Sequence, residues 1–166
     1  MDFVSKWKLL AQSSTFGMVR YTIKARRTIF YAADRAIQEM SNEVTPEHLL
    51  LGLLRADESI RAHFGMPIDS MRDELAANGP RERQPSLVFS RAAKRVIIFA
   101  AQEREHRSHK HTGTEHLLLG LVRVGSHAAK VLQQHGVTRD RVRQMLGNHK
   151  LVQRQNAESF CLQPAD

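Results

Sequence analysis

The side chains with the clearest capacity for chemistry are two Glu-His pairs, Glu47-His48 and Glu115-His116, each at the start of a leucine-rich run. A carboxylate in the first turn of a helix stabilises the helix dipole, and it can also bind a ligand. A histidine beside a buried leucine run is more often a core or capping residue than a catalytic one. We therefore expect both histidines to be structural, and we treat the two glutamates as helix-start acids and as candidate ligand-binding residues.

A histidine cluster is the second candidate for chemistry. Imidazole nitrogens are good ligands for zinc, nickel and copper. The cluster has no accompanying cysteine, occurs in only one half of the chain, and is interleaved with Arg107 and Lys110, whose charges oppose a cation. We expect a solvated basic loop without a metal, and we expect no cofactor elsewhere, while metal binding stays open as the alternative. The cluster consists of His106, His109, His111 and His116.

Both Glu-His pairs lie in a tandem duplication. The segment Glu-His-Leu-Leu-Leu-Gly-Leu-Leu-Arg at 47–55 returns as Glu-His-Leu-Leu-Leu-Gly-Leu-Val-Arg at 115–123, an offset of 68 residues. The same register pairs Ala25 with Ala93. After a three-residue gap, the register resumes at an offset of 71. Each copy is therefore expected to be one folding unit, and the two units to form one pseudo-symmetric body.

Hydrophobic periodicity predicts helices throughout both copies. Residues 22–41 read as a long amphipathic helix capped by Thr22, and the counterpart helix starts at Ser90. The leucine-rich helices that follow have hardly any polar face, so each is predicted to be the buried centre of its copy. Gly52 and Gly120 lie within them, although a helical glycine costs about 1 kcal/mol relative to alanine. This predicts that another helix packs closely against the backbone there.

Two shorter helices are predicted to complete each copy. They span Ser59–Phe64 and Ile68–Leu75 in the first copy, and Ala128–His135 and Arg139–Leu146 in the second. No strand pattern is present, so the predicted fold class is all-α, with two tandem four-helix repeats in a pseudo-two-fold eight-helix domain. The predicted boundaries are an N-terminal extension at 1–17, a double-repeat domain at 18–147 (repeat one 18–77, linker 78–87, repeat two 88–147) and a C-terminal tail at 148–166.

The composition limits the possible partners and compartment. The chain has 166 residues, of which 42% are hydrophobic, and a single cysteine, Cys161, which cannot form an internal disulfide. No secretory signal or membrane span is recognisable, so we expect a cytoplasmic protein. The formal net charge of +8 favours acidic partners. A nucleic-acid-binding protein is the alternative hypothesis, because six basic side chains can form a basic surface, although they match no recognisable docking pattern. These residues are Arg139, Arg141 and Arg143, with Arg91, Lys94 and Arg95.

A motif that occurs twice carries a resemblance to a known family. It consists of Tyr/Phe-Thr/Ser, two residues, Ala-Lys/Arg-Arg, and then a helix with Glu-His-Leu-Leu-Leu-Gly-Leu. Over about residues 18–147 it resembles the double repeat of the Clp ATPase N-terminal domain. The resemblance implies an eight-helix body of the kind that precedes AAA+ unfoldase rings and receives substrates and adaptors. The sequence contains no Gly-x-x-x-x-Gly-Lys-Ser/Thr loop.

The resemblance therefore implies a free-standing, non-catalytic module. We expect a monomer, because two nearly equivalent repeats already bury a mutual face. Its expected partners are a Clp-type AAA+ unfoldase, adaptors or substrate segments, and its expected role is that of an adaptor or regulator in Clp-type proteolysis.

The same resemblance implies a ligand. In ClpC-type unfoldases this domain binds arginine-phosphorylated proteins at two symmetry-related sites, each using the glutamate of the motif. The corresponding residues here are Glu47 and Glu115. A carboxylate can bind a guanidinium through paired charge-assisted hydrogen bonds, and hydroxyls and helix N-terminal amides can bind the attached phosphate.

The hydroxyl positions of that family motif match Thr22 and Ser90, and Thr114 directly precedes the second glutamate, as the motif requires. The first copy departs from the pattern. Pro46 replaces the usual threonine and Thr45 replaces glycine. The second site is therefore expected to be the better preserved of the two.

Overall fold

The computed structural model describes residues 20–75 and 87–147, which form eight helices and one pair of two-residue strands. The all-α, eight-helix architecture predicted from the sequence is confirmed. The predictions for 1–17 and 148–166, and most of the predicted linker, lie outside the described residues. In repeat one the elements are α1 (Ile23–Gln38), β1 (Glu43–Val44), α2 (Pro46–Ala56), α3 (Glu58–Phe64) and α4 (Ile68–Glu74). In repeat two they are β2 (Val88–Phe89), α5 (Arg91–His106), α6 (Thr114–Val124), α7 (His127–Gln134) and α8 (139–147).

The long first helices begin as the sequence predicts. The Thr22 hydroxyl accepts a hydrogen bond from the Ala25 amide at 3.2 Å, and the Ser90 hydroxyl accepts one from the Ala93 amide at 3.1 Å. Both hydroxyls are therefore N-caps. The predicted end of α1 was wrong, because the helix stops at Gln38 rather than at Ser41. Met40 has a φ of 51°, and this left-handed residue ends the helix.

A short parallel strand pair joins the two repeats, and the sequence did not predict it. Glu43 pairs with Val88 and Val44 pairs with Phe89, with Val44 and Phe89 buried. A related bridge pairs Tyr21 with Thr112. In each case, the segment that enters the first helix of one repeat lies against the segment that enters the central helix of the other. Strands of two residues are too short to give an alternating sequence pattern.

The central helices α2 and α6 lie in direct backbone contact with the first helices of their repeats. A Cβ atom at Gly52 would lie 2.4 Å from the Thr28 carbonyl oxygen, and one at Gly120 would lie 2.3 Å from the Val96 carbonyl oxygen. The close packing predicted from these two glycines is confirmed. The buried side chains of both repeats form one hydrophobic core. Across 20–75 and 87–147, no helix combines the length and apolar character needed to cross a membrane.

Replacing Gly120 with alanine tests this contact. We expect Gly120→Ala to lower the free energy of unfolding by about 1 to 3 kcal/mol, because the added methyl group forces α5 and α6 apart. Urea denaturation measures the change. Gly147→Ala is the matched control, because a Cβ atom at Gly147 meets nothing within 4 Å. A Gly120→Ala protein as stable as the wild type would contradict the packing described above.

Candidate functional site

The predicted site residues lie where the two repeats meet, at the N-termini of the first and central helices. Each central helix begins opposite the N-terminus of a short helix from the other repeat. The Glu47 carboxylate, at the start of α2, accepts a hydrogen bond from the Ala128 amide of α7 at 3.1 Å. The Thr114 hydroxyl, at the start of α6, donates to the Asp57 carboxylate that caps α3, at 2.6 Å. The structure therefore brings the candidate residues together in two sets, each drawn from both repeats.

The first set is called the Glu47 site and comprises Glu47, Ser90, Ser126 and Ala128. The Ser90 amide donates to the Val44 carbonyl at 3.0 Å, which holds Ser90 beside the residues that lead into α2. Ser126 caps α7 by accepting a hydrogen bond from the Ala129 amide. This set combines a carboxylate, two hydroxyls and the positive end of a helix dipole.

The second set is called the Glu115 site and comprises Thr22, Asp57, Thr114 and Glu115. The Thr22 amide donates to the Thr112 carbonyl at 2.9 Å, which places Thr22 beside the segment that enters α6. The Glu115 carboxylate folds back over the backbone of Gly113, so that a Cβ atom there would lie 2.2 Å from both carboxylate oxygens. Thr114 is buried, whereas Glu115 is partly exposed.

Asp57 was not predicted as a site residue, and it distinguishes the two sites. Its side chain accepts hydrogen bonds from the Ser59 amide, the Lys24 ammonium group and the Thr114 hydroxyl. Burial acts to raise the pKa of Asp57, but the hydrogen bonds from Thr114 and Lys24 outweigh it and lower that pKa. By the sequence register its counterpart in repeat two is Gly125, which has no side chain, and the N-cap of α7 is the uncharged Ser126. The only sequence signal for Asp57 is the general preference of aspartate for helix N-caps.

The two histidines of the Glu-His pairs are structural, as predicted. The His48 ring nitrogen Nδ1 accepts a hydrogen bond from the Thr45 amide at 3.0 Å, and His116 Nδ1 accepts one from the Gly113 amide at 2.9 Å. Each histidine stands three residues after the N-cap and satisfies the N-cap amide. Glutamate has this role in the usual capping box.

His116 also bonds to a histidine of the predicted cluster. Since its Nδ1 accepts from an amide, its Nε2 carries the proton and donates to His109 Nδ1, 2.8 Å away. The His116 side chain is fully buried. Burial is the main cause that lowers the pKa of His116 to about 4, and the positive charge of Arg107 acts in the same direction. His116 is therefore neutral at pH 7.

Some of the predicted histidines lie close enough together to bind one metal ion. Within the described residues, one group of side chains could supply three ligand atoms to a metal ion. It consists of His109, Glu115 and His116, and the three ligand atoms lie within 4.8 Å of one another. His106 and His111 of the predicted cluster are exposed and lie outside this group. A metal would have to displace the proton that His116 shares with His109. That this protein binds no metal remains a prediction.

Three of the basic residues that suggested nucleic-acid binding have partners within the chain. Arg139 and Arg143 donate to the buried Glu103 carboxylate at 3.0 and 3.1 Å, and Arg141 donates to the Gly136 carbonyl at 2.8 Å. Two of the three therefore neutralise a buried acid of their own chain. This arrangement gives the nucleic-acid hypothesis little support.

The fold and the two interface sites define an all-α double-repeat module with a central helix in each repeat. A family model described as the Clp repeat (R) N-terminal domain matches residues 20–135 and, overlapping them, 89–161. The chain belongs to the Clp N-terminal domain family.

Similar proteins agree with this assignment. The chain is 32% identical over 142 residues to the chaperone protein ClpB of Oceanobacillus iheyensis, and equally so to the negative regulator of genetic competence ClpC/MecB of Bacillus subtilis. Each match covers 79% of this chain and 18% of the relative, so the chain corresponds to a small part of those proteins. The N-terminal domain of ClpD from Arabidopsis thaliana has the same fold, with a TM-score of 0.63 and 24% identity, over 78% of this chain and 93% of that one.

Stability should depend on pH through His116. The unfolded chain binds a proton at this histidine below a pKa of 6.5, whereas the folded protein binds it only near pH 4. Stability is therefore fully present above pH 6.5 and falls as the pH drops from 6.5 towards 4, by roughly 3 kcal/mol. The ordinary pKa values of Asp57 and Glu103 are 3.8 and 4.5, and the folded structure lowers both. These two carboxylates therefore change the free energy of unfolding mainly below pH 4.5.

Urea denaturation of the wild type and of His116→Asn, at several pH values between 4.5 and 7, measures this effect. His63→Asn is the control, because His63 is exposed on α3. We expect the His116→Asn protein to lose most of the pH dependence and the His63→Asn protein to retain it. A wild type equally stable at pH 7 and pH 4.5 would contradict the assignment.

Proposed function

We propose that this protein is a non-catalytic recognition module of cytoplasmic Clp-type proteolysis that binds segments of other proteins at the repeat interface. Membership of the Clp N-terminal domain family supports this function, since these domains receive adaptors and substrates in Clp systems. The observation that carries the proposal is the Glu47 site, where a partly exposed carboxylate lies within hydrogen-bond distance of a helix N-terminal amide.

The ligand that best matches this combination is a phosphorylated arginine side chain. Its guanidinium is a planar donor that suits the Glu47 carboxylate. Its phosphate requires hydrogen-bond donors, and the N-terminus of α7 and the Ser90 hydroxyl proton can provide them. Binding would move the Glu47 carboxylate from the Ala128 amide to the guanidinium and leave that amide to the phosphate.

The two sites should differ in strength. Motif preservation favours the Glu115 site, but the charges favour the Glu47 site. A phosphate that approaches the N-terminus of α3 would meet the Asp57 carboxylate, which already accepts the Ser59 amide and the Thr114 hydroxyl. The N-cap of α7 is the uncharged Ser126, and the acid at that helix end is Glu47 itself, which would bind the guanidinium. We propose that the Glu47 site binds more tightly and that the Glu115 site, with Thr22 and Thr114, binds weakly.

Two roles are compatible with such binding. As an adaptor, the module would deliver arginine-phosphorylated segments to a Clp-type AAA+ ring. As a competitor, it would compete with the N-terminal domain of the unfoldase for the same segments or adaptors. Co-purification from nuclease-treated lysate separates the roles, because only an adaptor is expected to retain an AAA+ chain together with the substrate.

Calorimetric titration with an arginine-phosphorylated peptide tests the proposal, with the unmodified and serine-phosphorylated peptides as ligand controls. We expect selective binding that falls at least about tenfold in Glu47→Gln, a loss of about 1.4 kcal/mol. The matched variant Glu115→Gln should change the tighter binding event little, because Asp57 weakens that site. Circular dichroism checks that both variants fold.

Equal affinity for the three peptides would contradict the phosphoarginine proposal. A larger loss in Glu115→Gln than in Glu47→Gln would contradict the order of the two sites.

A further inference from the structure

A groove on the surface of repeat one lies between α1, α2 and α4. Together with the solvent at its mouth it contains about 430 Å³ of empty space. Tyr31, Leu51 and Ile68 contribute the apolar part of its lining, and three arginines contribute the charged part. We name it the arginine groove after these arginines, which are Arg35, Arg55 and Arg72.

The duplication identifies the equivalent place in repeat two. By the sequence register, Tyr31 and Arg55 correspond to Phe99 and Arg123. The structure confirms the equivalence, because the Arg55 guanidinium lies 4.2 Å from the Tyr31 ring centre and the Arg123 guanidinium lies 4.0 Å from the Phe99 ring centre. The two helix pairs therefore present the same arginine-aromatic contact beside the equivalent position.

In repeat two, an internal carboxylate fills this place. Glu103, which is 2% exposed, corresponds to Arg35 at an offset of 68. It accepts hydrogen bonds from Arg139 and from Arg143, and Arg143 corresponds to Arg72 at an offset of 71. Glu103 thus connects α5 to α8 with a buried, doubly bonded acid.

In repeat one, no buried acid among the described residues pairs with the arginine of the last helix. Position 35 is an arginine, and its guanidinium pairs with Glu39, the residue that directly follows α1. Arg72 is half-exposed, and its ion pair is a 3.8 Å contact with the highly exposed Asp69 one turn away. Exposed pairs of this kind contribute at most about 1 kcal/mol, so Arg72 can exchange this partner at little cost.

We propose that the arginine groove binds an acidic segment of another protein, whose carboxylate takes the position that Glu103 has in repeat two. Arg72 and Arg55 can bind a carboxylate from two sides. An apolar residue next to that acid would contact Tyr31 and Ile68. This site lies within repeat one, apart from the two sites at the repeat interface, and so does not depend on phosphoarginine binding.

Fluorescence anisotropy with two labelled peptides tests this inference. One peptide alternates glutamate with leucine and phenylalanine, and the other has glutamine in place of every glutamate. We expect the first to bind at least about tenfold more tightly. Arg72→Ala should weaken its binding about tenfold. Arg61→Ala is the matched control, because Arg61 also forms an exposed ion pair one helical turn away, with Glu58.

A second variant copies the arrangement of repeat two. In Arg35→Glu, the new carboxylate lies where Glu103 lies in repeat two and can bond to Arg72, which would close the groove. We expect this variant to lose peptide binding at least about tenfold and to melt no lower than Arg35→Ala. Thermal unfolding of both variants shows that they are folded.

Three results would overturn the inference. The first is equal affinity for the glutamine peptide and the glutamate peptide, and the second is no binding of either peptide. The third is an equal loss of affinity in Arg61→Ala and Arg72→Ala, which would indicate that the acidic peptide is attracted generally to a protein of net charge +8.

Discussion

The backbone contact at the two helical glycines is the constraint on which the rest of the structure depends. At Gly52 and Gly120 the central helix of each repeat lies directly against its first helix, with no space for a side chain. This contact sets the depth and orientation of α2 and α6. Because both helices are fixed in this way, their N-termini meet the short helices of the other repeat. The position of the candidate binding residues is thus a consequence of helix packing in the core.

Carboxylates distinguish two repeats that otherwise share one design. Asp57 caps α3 and occupies the anion-binding end of that helix, whereas the cap of α7 is the uncharged Ser126. Glu103 fills the space between α5 and α8, whereas its counterpart is Arg35. In both comparisons one copy satisfies its donors from within the chain. In the other copy a ligand can replace the partner, which is Glu47 at the Ala128 amide and Asp69 at Arg72, and these are the places where binding to other molecules is proposed.

Periodicity and duplication were enough to predict the eight helices, because those signals are local and occur twice. The same holds for the N-caps Thr22 and Ser90 and for the capping histidines. The strand pair and the role of Asp57 could not be predicted. Asp57 bonds to a lysine 33 residues away and a threonine 57 residues away, and neither pairing leaves a sequence pattern. The charge difference between the two sites depends on these distant pairings, so the motif alone favoured the Glu115 site.

The central claim is that the additional acid Asp57 weakens the Glu115 site for a phosphate, whereas the Glu47 site contains no acid besides the glutamate that would bind the guanidinium. A backbone-amide NMR titration with an arginine-phosphorylated peptide tests this most directly, because each site has its own reporter amide. The account predicts that the Ala128 signal shifts at the lowest peptide concentrations while the Ser59 signal, which reports on the Asp57 cap, stays unchanged. A Ser59 signal that shifts first, or together with that of Ala128, would contradict the account.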